Sequence, residues 1–339
     1  MRNGNLRPLK ALLILGAAVT GAGSGLPVHV GRVAYKTFDP PGSIGTYPTA
    51  IDQRVITGLY YDGNSVIHGF VRAADGTIAP FDPAGSVDTE PTSMNDPGAV
   101  AGHYWDALGV QHGFVRAPDG TITSIDPPRS ASTEIRGINV KGWITGFYRR
   151  NKEVHGFVKD AHGRFTTFDP PGSIATLSWA IDKYGLVAGW YLDRSMRSHG
   201  FVRAADGTVT AFDPSGSIDT RPVSISRREV VTGFYQDANF VWHGFVRTAN
   251  GTVTSFDPRG SIDTEPKGVH TNGEVTGCWE DDSLVWHGFL WKAAGAGREP
   301  ESFDVPGSVG TFAVGVDGGQ IAGSYEDSNA TYHGFLRSQ

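Results

Sequence analysis

Short runs of alternating hydrophobic and polar residues fill most of this chain. TVTAFDP (208–214), EVVTGFYQD (229–237) and HGFVRT (243–248) are examples, bounded by Gly, Pro, Asn or Asp. A period of two predicts half-buried β-strands. No stretch reads as a long amphipathic helix, which would need apolar residues three and four apart.

The runs recur in a fixed order. His-Gly-Phe begins at His68, His112, His155, His199, His243, His287 and His333, in steps of 44, 43, 44, 44, 44 and 46 residues. An Asp, in Phe-Asp-Pro or a close variant, stands at Asp39, Asp82, Asp126, Asp169, Asp213, Asp257 and Asp304. Seven residues after each Asp comes Thr46, Thr89, Thr133, Thr176, Thr220, Thr264 or Thr311. Such a period marks a repeat architecture.

One period holds four short strands: the Phe-Asp-Pro strand, a strand after the Thr, a Gly-x-Val/Ile-type strand and the His-Gly-Phe strand. Asp-Gly at 75–76, 119–120 and 206–207 and Asn-Gly at 250–251 join the last to the next Phe-Asp-Pro strand. These dipeptides favour tight hairpin turns. Four strands in roughly 45 residues is the period of a propeller blade. The expected fold is therefore all-β: a seven-bladed β-propeller of four-stranded antiparallel blades. The repeats open on a Phe-Asp-Pro strand without its partner (Val33 to Pro40) and end on a His-Gly-Phe strand without its own (Tyr332 to Arg337). Pairing the N-terminal strand with the C-terminal one would close the ring and remove an exposed edge. That places the Phe-Asp-Pro strand outermost and the strand after the Thr beside the central channel.

The first residues interrupt this picture. MRNGNLRPLK, an apolar run and small residues up to Gly25 read as a secretory signal peptide over 1–25. The propeller then spans 26–339, and the chain is expected to be secreted or periplasmic, with no membrane span after cleavage. The single cysteine, Cys278, allows no internal disulfide and reads as a small buried hydrophobe. A net charge of −6 without a basic cluster excludes nucleic acid as a partner. The sequence has no phosphate loop, nucleophile elbow, zinc motif or nucleotide fingerprint, so no cofactor, metal or catalytic residue is assigned. A monomer is expected.

The repeated His, Asp and Thr read as a hydrogen-bonded framework, because a catalyst does not need seven copies. Asp62, Asp106, Asp193, Asp237, Asp281 and Asp327 read as turn residues bonding their own backbone. Function is expected where the copies differ. Unit 3 breaks the acidic ring with Arg150, beside Arg149 and Lys152, a candidate contact for carboxylate or other anionic groups. The innermost strands vary at Glu90, Glu134, Arg136, Arg221 and Glu265, which either pair between blades or line a pocket. Trp105 is a candidate stacking residue before its His.

Two stretches, SMNDPGAVAGHYWDALGVQHGFVR (93–116) and GINVKGWITGFYRRNKEVHGFVK (137–159), carry a further pattern. Ile-Asn/Asp, two residues, Gly-x-Val-x-Gly and then His-Gly-Phe-Val-Arg resembles the HAF-repeat family of bacterial extracellular proteins. The resemblance covers all seven units and implies export and a repeat fold. It departs in having Gly where that family has Ala after the His, and FDPPGS where that family often has an Asp-Leu-Gly-rich stretch, which leaves the role of this branch open.

The expected function is a secreted, non-catalytic propeller that binds a glycan or protein partner through one loop face. The alternative is an extracellular lyase or hydrolase with a pocket at the channel mouth, built from residues such as Glu134, Arg136 and Arg221. The framework reading predicts that His199→Ala lowers stability by roughly 1–3 kcal/mol, the cost of leaving a polar partner unpaired. Activity lost without a change in melting temperature would contradict it.

Overall fold

The computed structural model describes residues 33–292 and 299–338; the proposed signal peptide lies outside them. The described residues form twenty-eight β-strands and no helix. None therefore holds a helix long and apolar enough to cross a membrane.

The strands group by sequence into seven four-stranded antiparallel units. Unit 5 shows the pattern: Asp219–Ile225, Val231–Gln236, Trp242–Arg247 and Val253–Phe256, hydrogen bonded in that order. Unit 7 takes its fourth strand from the other end of the chain. Ala34–Phe38 pairs antiparallel with Tyr332–Ser338, in register from Ala34 with Ser338 to Phe38 with Gly334. The first strand of every unit lines cavities at the centre, and the Phe-Asp-Pro strand is the far edge. Units 3 and 4 are further joined by a parallel bridge between Val154 and Ala175.

Two residues of the repeat explain how tightly a unit packs. The Phe of His-Gly-Phe (Phe70, Phe114, Phe157, Phe201, Phe245, Phe289, Phe335) is 0% exposed in every copy. The second Gly of the Gly-x-Val-x-Gly pattern meets the inner strand's backbone. A Cβ on Gly233 would lie 2.2 Å from the Arg221 carbonyl oxygen, and on Gly146 2.0 Å from that of Glu134. Only glycine permits that approach.

Neighbouring units are tied by the residue two after this Phe. Arg203 lies over Phe168 of the preceding unit with 4.8 Å to the ring centroid, Arg247 over Phe212 at 5.1 Å and Arg337 over Phe303 at 4.6 Å. Arg72 makes the same contact to Phe38 at 4.9 Å, so the first strand of the chain serves the last unit in this respect too. Where the Phe becomes Ile125, the Arg becomes Lys159. In unit 6, Trp291 replaces the Arg and stacks on Phe256 at 4.0 Å. These are cation–π contacts or their aromatic substitute, added to ordinary burial.

Of the expected His–Asp–Thr framework, the His–Asp pair is present in all units, whereas Thr89, Thr133, Thr220 and Thr264 donate to the Ser three residues before them. Each His Nδ1 lies 2.7–2.9 Å from its Asp, including His333 with Asp39. The seven Thr are 0% exposed. Thr46 and Thr176 donate to Asp39 and Asp169 at 2.6 and 2.7 Å. Each imidazole also stacks on the aromatic residue of the adjacent strand, as His199 does on Tyr191 at 5.3 Å. The turn carboxylates behave as expected: Asp237 Oδ1 accepts from the backbone N–H of Asn239 and Val241. Their second oxygen faces the His Nε2, so His199 sits between Asp213 and Asp193. The histidines are less buried than a closed network implies, His199 being 22% exposed. That puts the cost of His199→Ala near the lower end, about 1 kcal/mol. Cys278 is buried, which pushes its thiol up to about 12.

Burial opposes the charged form of His112, His199 and His333, but the two flanking carboxylates outweigh it and raise all three. Their contribution is therefore full below the unfolded value near 6.5 and is lost as pH rises through the raised folded value. Melting temperature should fall from pH 6.5 to 9, and by less in His199→Ala. Gly233→Ala should cost about 1–3 kcal/mol, because an inserted methyl meets fixed backbone. Urea denaturation checks this; an unchanged midpoint would contradict the close approach.

Candidate active site

Two cavities lie along the axis, about 320 and about 310 Å³ in volume, each drawing residues from all seven inner strands. Ile51, Met94, Ile138, Ile181, Ile225, Val269 and Val316 line both. An apolar ring thus divides the two.

The next residue on each strand faces the first cavity: Asp52, Asn95, Asn139, Asp182, Ser226, His270 and Asp317. Units 2 to 4 use this position for turn chemistry. Asn139 Oδ1 accepts from Lys141 and Trp143 N–H, and its Nδ2 donates to the Asp182 carbonyl of the next unit at 2.8 Å. Asn95 donates likewise to the Asn139 carbonyl at 2.9 Å. Asp182 keeps the turn bonds, but its Oδ2 has no hydrogen-bond partner, and burial raises its pKa.

Units 1 and 7 turn more tightly. Asp52 pairs with Val55 across Gln53 and Arg54, and Asp317 with Gln320 across Gly318 and Gly319. Both turns hold two residues at positive φ, of 47° and 68° in the first and 52° and 78° in the second. This is the two-residue hairpin geometry. It frees both carboxyl groups from bonding their own turn. Asp317 Oδ2 instead accepts the Gln53 N–H at 2.8 Å, and its Oδ1 lies 3.4 Å from His270 Nε2. Asp52 hydrogen bonds to Asp96, and Asp96 forms an ion pair with Arg227. Asp96 belongs to unit 2 and Arg227 to unit 5, so the pair spans the mouth.

The two carboxyl groups are driven apart. Burial, the hydrogen bond to Asp96 and the charges of Asp96 and Asp317 push Asp52 up to about 7. Burial opposes ionisation of Asp96 as well, but hydrogen bonds from Arg227 and Asp52 hold it below the ordinary value. Arg227 is raised in turn by Asp96. One proton is shared, mostly on Asp52, as two close carboxyls require. The mouth therefore holds a proton donor, a carboxylate acceptor, a guanidinium and a second His–Asp pair.

The residues singled out from sequence lie elsewhere. Arg136 lines the second cavity, 2.5 Å from Glu134 and over Trp179 at 4.4 Å. Glu265 pairs with Lys267 at 2.6 Å. Glu90 lies 3.2 Å from the buried His103, on which Trp105 packs edge-on at 5.1 Å. Arg221 is held between Trp190 and Trp242, at 5.5 and 4.8 Å. Glu134 and Arg136 are thus together, with Arg221 apart from them against the tryptophans. Arg149, Arg150 and Lys152 sit on the hairpin beyond the start of the inner strand, where Ser132 pairs with Arg149. That is the opposite end from the first cavity. The mouth residues had a readable signal: His270 and Ser226 break the Ile-Asn/Asp pattern, and IDQRV and VDGGQ are one residue short. Among the described residues no cluster of three or more His, Cys, Asp or Glu could hold a metal ion.

No family model matches this chain, and no curated protein does. Solved structures do. A streptogramin B lyase superposes with a TM-score of 0.58 at 12% identity, covering 90% of this chain and 97% of that one. The β-propeller domain of the Trilobed protease from Pyrococcus furiosus gives 0.58 at 9% identity, covering 87% and 94%. A puromycin hydrolase gives 0.60 at 11% identity, covering 86% of this chain and 52% of that one. The fold is a β-propeller.

The expectation of a non-catalytic binding module is corrected by these matches, which are to a lyase, a hydrolase and a protease domain. The alternative read from the sequence is an enzyme with a pocket at the channel mouth. The mouth's acid pair and the arginine that holds it come from units 1, 2 and 5, which no pattern within one repeat records.

Carboxyl-resolved NMR should place the Asp52 midpoint near 7, and Asp96→Asn should lower it by removing the neighbouring charge. A wild-type midpoint near the ordinary 3.8 would overturn the shared proton.

Proposed function

We propose that this chain is an exported enzyme, a lyase or hydrolase, working at the polar mouth of a closed seven-bladed propeller. The observation that carries the reading is the split carboxyl pair, Asp52 protonated beside ionised Asp96, facing a cavity of about 320 Å³. Both reaction classes need a proton donor and a proton acceptor on one cavity, with values set apart by their surroundings. Asp52 is the donor to a leaving oxygen or nitrogen. Ionised Asp96 is the acceptor from water or from a carbon acid; the ring nitrogens of His270 are engaged, Nε2 by Asp317 and Nδ1 by the Asn272 N–H. Arg227 and Asp96 hold the pair in its split state, and Arg227 offers its fork to developing negative charge. Closure is supported by the pairing of Ala34–Phe38 with Tyr332–Ser338. Export, to the periplasm or beyond, is supported by the leader, and the HAF-repeat assignment by the recurring signature.

The test is turnover of chromogenic esters, lactones and amides, with ultraviolet detection of unsaturated products from polysaccharides. Asp52→Asn should lower kcat about 10²–10⁴-fold, the usual loss of a general acid, while the melting temperature holds. Wild-type kcat should decline as pH rises through about 7, where Asp52 loses its proton. Turnover unaffected by Asp52→Asn would remove this site from the reaction.

A further inference from the structure

The residue that ends each inner strand at the mouth also joins one unit to the next. In unit 2 the Asn95 amide donates to the Asn139 carbonyl of unit 3 at 2.9 Å. In unit 3 the Asn139 amide donates to the Asp182 carbonyl of unit 4 at 2.8 Å. Unit 4 breaks the series by one atom. Asp182 has an oxygen where the asparagines have their amide nitrogen.

Asp182 is otherwise placed as they are. Its Oδ1 accepts from the Tyr184 and Leu186 N–H at 2.8 Å each, as Asn139 Oδ1 accepts from Lys141 and Trp143. Oδ2 therefore takes the place of the amide nitrogen, and the repeat puts the Ser226 carbonyl of unit 5 in front of it. That carbonyl accepts the Glu229 N–H at 3.0 Å, as the Asp182 carbonyl accepts the Gly185 N–H at 3.1 Å, so it has the same lone pair to offer. An ionised Oδ2 would meet it acceptor to acceptor, whereas a protonated one donates. Asp182 is 3% exposed, and Oδ2 is buried without a hydrogen-bond partner among the described residues, which keeps it from a ligand in the cavity as well as from solvent. Leaving such an atom charged and unpaired is the costlier state.

The charged groups around it supply no partner. Lys183, on its own turn, lies over the Tyr184 ring at 4.7 Å, and Lys141 of unit 3 lies over Trp143 at 5.6 Å. In unit 5, Arg227 is paired with Asp96, Arg228 is exposed and Glu229 is an acid. Across the cavity stand Asp52, His270 and Asp317, of which the last two hold each other. Burial outweighs the turn N–H groups and the charge of Lys183 and raises the proton affinity of Asp182.

We propose that Asp182 is held as the neutral acid and donates from Oδ2 to the Ser226 carbonyl, tying unit 4 to unit 5 as the asparagines tie units 2 to 3 and 3 to 4, and so positioning Arg227. The Ser226 carbonyl belongs to the peptide group that leads into Arg227, so the link fixes the base of the arginine that holds Asp96. Asp182 is thus a positioning residue. Its effect on turnover rests on the catalytic reading; its proton, its link and its effect on the Asp52 midpoint do not.

Other units supply the variants. Asp182→Asn restores the donor of units 2 and 3. Asp182→Ser keeps the turn bonds that Ser226 makes in unit 5, but its hydroxyl is too short to reach the next carbonyl. Carboxyl-resolved NMR should place the Asp182 midpoint above the ordinary 3.8. A group raised on folding contributes its stability below 3.8 and loses it as pH rises through the folded midpoint. Asp182→Asn should therefore match the wild-type melting temperature at acid pH and exceed it by about 2 °C above that midpoint. Asp182→Ser should melt below both at acid pH. It should also move the Asp52 midpoint upward, because the Arg227 charge that lowers it is no longer held in place. A link with no positioning role would leave Asp52 unmoved. An Asp182 midpoint at or below 3.8, an Asp182→Asn variant that melts below the wild type at every pH, or an Asp52 midpoint unchanged by Asp182→Ser would overturn the proposal. None of these readouts uses turnover, so the link and the catalytic reading fail separately.

Discussion

Each unit leaves one face of its sheet for the next unit to cover. A four-stranded sheet of this size cannot bury the Phe of His-Gly-Phe by itself. Phe201 is covered by Phe168 of the preceding unit, 5.8 Å away and edge-on, and Phe245 by Phe212 in the same way. The Arg two residues on completes the contact, with the aromatic ring between its guanidinium and the core. The rest of the architecture depends on this dependence of one unit on another. It explains why the outer Phe and the Arg change together at Ile125 and Lys159. It also explains why Phe38, at the start of the chain, packs on Phe70 and beneath Arg72.

A frame built from one contact repeated seven times leaves few positions free to differ. The buried Thr, the glycine against the inner carbonyl and the His between carboxylates are the same in nearly every unit. Differences collect at the two ends of the inner strands, where a side chain meets the axis or the solvent and not the next sheet. One end gathers Asp52, Asp96, Arg227, His270 and Asp317. The other carries the Arg and Lys of unit 3 and the exposed Met196, Phe240 and Leu284 of units 4 to 6. The apolar ring from Ile51 to Val316 separates them.

The mouth also shows how a short turn becomes a functional feature. Where three residues intervene, the Asn or Asp at the strand end is spent on its own backbone, as Asn139 is. Removing one residue in units 1 and 7 converts the turn and releases the carboxyl. Burial then does the rest, since a carboxyl close to two others in a confined space keeps its proton.

The sequence by itself determined the strand order, the number of units, the outer and inner edges of each sheet and the pairing of the first strand with the last. It also determined the His–Asp pairs, because spacing within one repeat is enough to bring those residues together; that most of the Thr hydroxyls would turn to a Ser was not legible. Glu90, Glu134, Arg136, Arg221 and Glu265 were legible as variable inner-strand positions, but their pairing with His103, Lys267 and the tryptophans was not. The acid pair was decided only by tertiary structure. Asp52, Asp96 and Arg227 come from three units, and two of those units stand across the axis from each other. No local pattern records which side chains meet there. Their proton affinities follow from burial and from one another's charge, which exist only once the units surround a common cavity.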